Sequence, residues 1–438
     1  MSLNSNKVSP KKVHVVTLGC AKNVVDSEQL MKQLEAENYL VEFDKPNSDA
    51  RSVIINTCGF INDSKQESID TILAWADAKT KGKIDNLLVM GCLSERYYDD
   101  LKAEIPEVDA YFGVNNINDI VTRLGGNLHS DLLNDRVLST PSHFAYLKIS
   151  EGCDRVCSFC AIPLIRGKHV SRPADEIVAE AKNLVAKGVK ELILVAQDLT
   201  FYGVDTEGKP MLASLLEKLA SRSGAEWIRL HYAYPTSFPR EIVQVMKSYS
   251  NICTYLDIPF QHSSDAMLKI MRRGNNSAQS YELINFLRTE IPNLTLRTTL
   301  IAGHPGETEA DFQELLRFIK EVKFDRLGVF PYSHEEQTYS YLNYEDSISE
   351  EVKQERVEIL MSAQQAISGE LNQKKVGQTL RVLVDRKEGD YWIGRSEADS
   401  PEIDNEVIIT SAKKIKIGDF VNVTITSADD FDLTGTVN

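Results

Sequence analysis

Cys153, Cys157 and Cys160 stand at C-x-x-x-C-x-x-C spacing in the stretch Ser150-Glu151-Gly152-Cys153-Asp154-Arg155-Val156-Cys157-Ser158-Phe159-Cys160. Thiolates are the ligands of iron–sulfur clusters, and a loop this short can wrap three of them around one cuboidal cluster. Three ligands in place of four leave one iron open to a small molecule. The alternative is a structural zinc site or inert thiols. Zinc sites close with a fourth Cys or His at regular spacing, and the nearest downstream histidine, His169, lies beyond a turn containing Pro163.

Three more cysteines recur at the ends of apolar runs: Gly19-Cys20, Thr57-Cys58-Gly59 and Gly91-Cys92. The runs before them, Val13 to Leu18, Val53 to Ile55 and Leu87 to Met90, read as strands, with helical patterns from Ser27 to about Glu37 and from Ser64 to about Ala78 between them. Strand-helix alternation implies a parallel sheet with helices on both faces. The carboxyl ends of such strands form the edge where ligands bind, and the adjacent glycines let backbone come close to a bulky group. Three cysteines there can converge on a second metal cluster, although any one alone reads as a buried structural cysteine. Cys253, the seventh, is expected near a helix end in a structural role.

The positioning elements continue after a linker from Leu124 to Ser142. A strand from Phe144 to Ile149 runs straight into the first cysteine loop. Strands at Glu191 to Val195, Trp227 to Tyr232, Tyr255 to Ile258, Leu296 to Ile301 and Arg326 to Phe330 alternate with helices such as Pro173 to Lys187, Leu212 to Ala220, Ser277 to Glu290 and Glu309 to Val322. About six βα units fit a partial, open version of the parallel barrel, a fold whose chemistry sits on the loops after the strands. Gln197, Asp198, His231, Tyr232, Gln261, His262 and Gly303 to Glu307 fall there, and Arg297, Thr298 and Thr299 are of similar standing. They can line a ligand pocket, or simply cap neighbouring backbone.

A long helix from Ser347 to about Lys374 opens with a capping-box pattern, Ser347 to Glu350. Beyond Gly377, short alternating runs at Thr379 to Val384, Glu406 to Thr410 and Phe420 to Thr426 read as a small antiparallel barrel. From Gly377 to Asn438 there are 7 Lys plus Arg against 12 Asp plus Glu, a net of -5, so the barrel lacks the basic stripe that phosphate binding needs. Lys413, Lys414 and Lys416 form a local basic patch, and a solvated face is the plainer reading of it. The whole chain of 438 residues carries a net charge of -15, which suits a basic protein partner better than nucleic acid. The apolar stretches are of strand length and the stretch from Met1 to Lys12 is polar, so a cytoplasmic location and no membrane span are expected. An odd number of cysteines without an export signal argues for metal or redox use over disulfides.

The C-x-x-x-C-x-x-C loop resembles the signature of the radical S-adenosylmethionine (SAM) superfamily. Combined with three separated N-terminal cysteines and a terminal barrel similar to the TRAM domain, the chain resembles the methylthiotransferases of that superfamily. The segment Leu18-Gly19-Cys20-Ala21-Lys22-Asn23-Val24-Val25-Asp26-Ser27-Glu28, and Arg395-Ser396 with Ser400-Pro401-Glu402-Ile403-Asp404, resemble the RimO-type branch, which modifies an aspartate of ribosomal protein uS12. The tRNA-modifying branch usually shows Gln-Met-Asn after the first cysteine. Ala21, where the pattern more often has proline, is a minor departure.

The resemblance implies an α/β chain in three parts: an N-terminal flavodoxin-like parallel sheet domain over residues 11-130, a central partial (βα)6 radical SAM barrel with its C-terminal helix over 142-374, and a small antiparallel TRAM-like barrel over 375-438. It implies two 4Fe-4S clusters. Cys153, Cys157 and Cys160 would hold the SAM-cleaving one, and Cys20, Cys58 and Cys92 an auxiliary one carrying sulfur as sulfide or persulfide. One SAM would give a methyl group to that sulfur, and another a 5'-deoxyadenosyl radical that removes hydrogen from the aspartate β-carbon. Gln197 and Asp198 fall where the SAM amino group is often held, and Thr299 and Gly303 bound the segment where its adenine often packs. Implied partners are uS12 or the small ribosomal subunit, and an electron donor such as flavodoxin or ferredoxin. A tRNA adenosine is the alternative substrate, against which the acidic barrel argues.

Overall fold

The structure is a computed structural model that describes residues 11–437; the polar stretch Met1–Pro10 and Asn438 lie outside the described residues. The chain divides into two compact units, one of residues 11–139 with 162–167, the other of 140–161 with the remainder from 168.

The first unit is built on five parallel strands: β1 (Lys12–Thr17), β2 (Leu40–Phe43), β3 (Ser52–Thr57), β4 (Asn86–Gly91) and β5 (Ala110–Tyr111), in the order β2-β1-β3-β4-β5. This is the doubly wound, flavodoxin-like order. Successive strand residues face opposite sides, so one run of apolar residues serves two cores. Val53, Ile55, Leu87 and Val89 pack with Ile72 and Ala76 of the helix Asn62–Thr80. Ile54, Leu88 and Met90 point the other way and join Val13, Val15, Leu30, Met31 and Leu34.

Helix Ala21–Ala36 starts directly after Cys20, six residues before the expected start at Ser27. Its first two turns carry Lys22, Asn23, Asp26 and Ser27, polar residues that are buried, so apolar periodicity does not mark them. The expected linker is also more than a linker. Within it Arg136 forms a fully buried ion pair with Glu28 at 3.0 Å, and Ser139 donates its backbone N–H and hydroxyl to the same carboxylate at 2.7 and 2.9 Å.

The second unit contains β6 (Phe144–Lys148), a two-strand ladder of β7 (Ser150–Glu151) with β8 (Val170–Ser171), then β9 (Glu191–Val195), β10 (Trp227–Leu230), β11 (Ile252–Asp257), β12 (Thr295–Ala302) and β13 (Arg326–Pro331). Six of these form one parallel sheet in the order β13-β12-β11-β10-β9-β6, the sequential order of an open βα barrel. Cys253 lies inside β11, 1 % exposed, and not near a helix end, because its neighbours Ile252 and Tyr255 complete a buried strand.

Helix Glu350–Gln373 packs along β13, and its N-cap is Ser349, whose hydroxyl accepts from Val352 N, in place of the expected Ser347. A closed barrel follows from β14 (Thr379–Glu388), β15 (Tyr391–Ser396), β16 (Val407–Ser411), β17 (Phe420–Ala428) and β18 (Leu433–Val437), around Val382, Val384, Val407, Ile409, Val423 and Ile425. Its pairings are antiparallel except β16 with β18, which run parallel.

The barrel is joined to the six-strand sheet by the connection between β15 and β16. Asp399 pairs with Arg326, Ser400 Oγ lies 2.8 Å from His231 Nε2, Asp404 accepts from Tyr255 at 2.8 Å, and Glu402 accepts from Tyr146 at 3.2 Å. Arg395 and Arg229 share the buried carboxylate of Glu191 at 2.9 and 2.7 Å. Among the described residues no helix is long and apolar enough to cross a membrane.

Candidate active site

Cys20, Cys58 and Cys92 sit on the carboxyl edge of the first sheet, beyond β1, β3 and β4. Cys20 is the N-cap of helix Ala21–Ala36, with extended backbone and its carbonyl accepting from Asn23 N and Val24 N at 2.8 and 3.2 Å. The backbone of Cys58 is fixed by Ser68, whose hydroxyl accepts from its N–H at 3.0 Å and donates to its carbonyl at 2.9 Å. Cys92 opens the short helix Cys92–Arg96 after Gly91, which has φ +102°.

The glycines are steric requirements. A Cβ on Gly19, at φ +90°, would come within 2.7 Å of Cys58 Cβ and 3.0 Å of its sulfur, and one on Gly59 would strike the Leu93 backbone at 2.8 Å. Asn23 ties the edge together by donating to the carbonyls of Leu18 and Thr57 at 2.8 and 3.0 Å. Arg166, from the helix Ile162–Arg166, donates to Asn23 Oδ1 at 2.6 Å, to Cys92 Sγ at 3.4 Å and to Asp26 at 3.1 Å.

The three thiols interact electrostatically. Burial pushes the Cys92 thiol up to about 12, with Arg166 opposing the shift and ionised Cys20 and Cys58 adding to it. Cys58 is raised by burial and by Cys20. Burial also disfavours the Cys20 thiolate, yet Lys22, Arg166 and the amides of Asn23 and Lys22 outweigh it and bring that thiol below its ordinary value. A Cys20 thiol held low by nearby cations, beside Cys58 and Cys92 thiols that its charge pushes up, is a poor resting place for three bare thiolates and a suitable donor set for a cationic iron core.

In the second unit the cysteine loop leaves β7 through Gly152, at φ +75°, and is held by backbone from two sides: Ser158 N donates to Met271 O at 3.0 Å and Ser158 O accepts from Ser340 N at 2.7 Å. Arg155 N donates to Cys153 Sγ at 3.4 Å. Cys157 Sγ accepts from Arg273 Nη1 at 3.1 Å and lies 3.4 Å from the Tyr234 hydroxyl. The Tyr234 ring is flanked by two guanidinium groups, Arg155 at 4.2 Å and Arg273 at 4.3 Å from its centroid. Burial pushes the Cys153 thiol up to about 11. All three thiols are partly exposed, as a site open to a small molecule requires. Among the described residues no group of three His, Cys, Asp or Glu is arranged around a single metal ion. In a cuboidal cluster each thiolate binds a different iron, so such a cluster does not call for three ligands around a single ion.

The expected SAM-binding residues fall in distinct environments. Gln197 donates to Glu151 Oε1 at 2.6 Å, and its own Oε1 is buried without a partner, the kind of orphaned acceptor that a ligand amine can meet. Asp198, 1 % exposed, is already occupied by Arg155 Nε at 2.8 Å and by the amide and hydroxyl of Thr200 at 2.8 and 2.6 Å, so it holds Arg155 in the cysteine loop. Thr299 Oγ1 accepts from Arg297 at 3.4 Å, and its carbonyl accepts from Gln261 N at 2.9 Å. Gly303, at φ +80°, is a buried turn residue whose N–H donates to Glu307 at 2.8 Å; a side chain there would overlap Lys353. Sequence reasoning missed Asn23, Arg166, Arg155, Tyr234 and Arg273. Only Arg155, inside the cysteine loop, and Asn23, three residues after Cys20, carried a positional signal.

Residues 147–319 match the radical SAM superfamily, 376–437 match the TRAM domain, and 12–113 match a family described as Uncharacterized protein family UPF0004. The solved structure of the radical SAM methyltransferase TsrM from Kitasatospora setae superposes with a TM-score of 0.53 at 13% identity, over 73% of this chain and 72% of that one, which shows the fold alone. The cobalamin-dependent SAM radical enzyme OxsB gives 0.52 at 14% identity, over 79% and 56%. Fold and cysteine loop together define a radical SAM enzyme with an appended TRAM barrel. Curated relatives carry the likeness along nearly the whole chain: "Ribosomal protein uS12 methylthiotransferase RimO" from Phocaeicola vulgatus is 54% identical, covering 97% of this chain and 99% of the relative, and the proteins of that name from Cytophaga hutchinsonii and Flavobacterium johnsoniae are 54% and 52% identical, covering 97% and 99% of this chain. The chain belongs to the RimO family of radical SAM methylthiotransferases.

Proposed function

We propose that this chain replaces a hydrogen on the β-carbon of an aspartate in ribosomal protein uS12 with a methylthio group. The observation that carries the reading is the presence of two separate thiol triads, each at the carboxyl edge of its own parallel sheet and each with a buried arginine on one sulfur. An unactivated C–H bond needs a carbon radical, and C–S bond formation needs a sulfur donor, so two triads match two tasks. When bound, a 4Fe-4S cluster on Cys153, Cys157 and Cys160 supplies the electron that opens SAM, and one on Cys20, Cys58 and Cys92 supplies sulfur as sulfide or persulfide.

The chain's own residues bind and orient. Ser158 and its backbone partners fix the cysteine loop, Asp198 holds Arg155 against Tyr234, and Gln197 offers an unpaired carbonyl oxygen to the SAM ammonium. Thr299 and Gly303 bound the wall assigned to adenine, where Gly303 keeps Lys353 close without obstructing the turn. Asn23 and Arg166 hold the other triad in register. An external low-potential donor such as flavodoxin or ferredoxin delivers the electrons, and the reaction belongs in the cytoplasm with the small ribosomal subunit. The net -5 of the terminal barrel suits a basic ribosomal protein.

The test is anaerobic turnover of the iron-loaded chain with SAM and reductant, offered a uS12 loop peptide and a tRNA side by side, with products read by mass. A methylthio gain on the peptide's aspartate is the expected result. Gain on the tRNA alone, or deoxyadenosine with neither product, would overturn the assignment of substrate.

A further inference from the structure

Arg273 is 4 % exposed, and its guanidinium is enclosed. Nη1 donates to Cys157 Sγ at 3.1 Å and Nη2 to Pro259 O at 2.6 Å, while Nε finds no partner. No carboxylate pairs with it among the described residues; the groups that face it are the sulfurs of Cys157 and Cys160 and the Tyr234 hydroxyl. A buried cation without a counter-charge costs several kcal/mol, so an arginine placed this way needs a negative group that arrives with the ligand.

Two other guanidinium groups that meet cluster-loop or triad residues are balanced differently. Arg155, on the opposite face of Tyr234, is neutralised by Asp198 at 2.8 Å. Arg166, at the other triad, reaches Cys92 at 3.4 Å but is paired with Asp26 at 3.1 Å. Arg273 alone of the three brings a net positive charge to a cluster sulfur. Tyr234 holds it there, by the ring beneath the guanidinium and by a hydroxyl that donates to the Arg273 carbonyl at 2.9 Å.

We propose that Arg273, positioned by Tyr234, raises the reduction potential of the cluster bound by Cys153, Cys157 and Cys160 and is the fixed counter-charge for its reduced state. Reduction adds one negative charge to the cluster. A cation and an N–H···S hydrogen bond on a ligating sulfur therefore favour the reduced form more than the oxidised one. The other triad, whose arginine is balanced by Asp26, receives no such bias from Arg166.

The inference rests on the reading of Cys153, Cys157 and Cys160 as cluster ligands, and the experiment separates the two. The full chain carrying Cys20→Ala, Cys58→Ala and Cys92→Ala is loaded with iron and sulfide, its iron content measured, and its cluster titrated by potentiometry with EPR detection, without uS12 or SAM. If this parent takes up no cluster, the ligand reading itself fails. Given a loaded parent, R273Q keeps a hydrogen-bond donor but loses the charge, and R273K keeps the charge. R273Q should disfavour reduction at least tenfold, about 59 mV for a one-electron couple. R273K should recover most of that shift, and Y234F should move the potential the same way by less. Equal potentials for R273Q, R273K and the parent overturn the proposal. Should R273Q take up no iron, Y234F decides, since it leaves every charge in place: an unchanged potential overturns the positioning role, and a lowered one supports it.

Discussion

Arg166 Nη2 lies 2.6 Å from Asn23 Oδ1, and through that contact a helix beginning at Ile162 fixes the residue that bridges the ends of β1 and β3. The same guanidinium reaches Cys92, so one side chain steadies the sulfur of one strand end and the backbone of two others. Removing a charge-assisted hydrogen bond of this kind costs about 2 kcal/mol, roughly a thirtyfold weaker hold. R166M and N23A should each shed iron from the first triad under mild chelation while the second triad keeps its own. Iron per chain, measured over time with a chelator, reads this directly. Equal retention by wild type and both variants would show that the contact is incidental.

Alanine at Cys20, Cys58 or Cys92 should leave SAM cleavage intact and abolish sulfur transfer, whereas alanine at Cys153, Cys157 or Cys160 should abolish both. The two activities separate because the triads lie on different sheets. Deoxyadenosine and methylthio product are counted in the same reaction. A methylthio product from any variant of the first triad would remove that triad from the sulfur-donor role.

Much of this architecture is legible in the residues. A run such as Val53-Ile54-Ile55 serves two cores by alternation, and its end is marked by Thr57-Cys58-Gly59, so strand and site appear together. The terminal barrel announces itself through short alternating runs. Three features stayed hidden for one physical reason. The start of the first helix, the pairing of Arg136 with Glu28, and the approach of Arg273 to Cys157 all depend on buried polar groups whose partners lie far away in sequence, 108 residues in one case and 116 in another. Local propensity takes no account of such partners, and apolar periodicity treats a buried Asn23 or Asp26 as a surface residue. In the sequence, Ser400 to Asp404 carry only a family resemblance; the contacts of Asp399, Ser400 and Asp404 with Arg326, His231 and Tyr255 show that the segment packs into the six-strand sheet.

His304 offers a pH test. Burial pushes its imidazole down to about 4, with Nε2 lying 2.9 Å from Ser340 Oγ and Nδ1 3.0 Å from Pro305 O. The unfolded chain takes up a proton near the ordinary value of about 6.5 and the folded one does so only near 4, so stability falls as pH drops through that window. The loss amounts to at most about 3.4 kcal/mol, because each pH step of one between the two values is worth about 1.36 kcal/mol. Urea midpoints of wild type should fall between pH 6.5 and 4 more steeply than those of H304Q. Parallel curves would mean that His304 is protonated in the folded chain at the same pH as in the unfolded one.

The junction between the terminal barrel and the six-strand sheet includes a buried ion pair centred on Asp399. That carboxylate is 1 % exposed, pairs with Arg326 and accepts from Ser396 Oγ at 2.8 Å. Burial alone would raise its pKa, but Arg326 and Lys375 outweigh burial and hold it below the ordinary carboxylate range. A depressed folded value contributes stability above the unfolded value and loses it as pH falls through the folded one. Deleting the charge leaves Arg326, 5 % exposed, without its partner. D399N should therefore cost about 3–5 kcal/mol, while D399N combined with R326M, which removes both charges, should recover most of that. Denaturant unfolding of the four chains in the cycle measures the coupling. If the double variant is as unstable as D399N, the pair is not the source of the loss, and packing of the 397–404 segment against β13 and β10 is what Asp399 maintains.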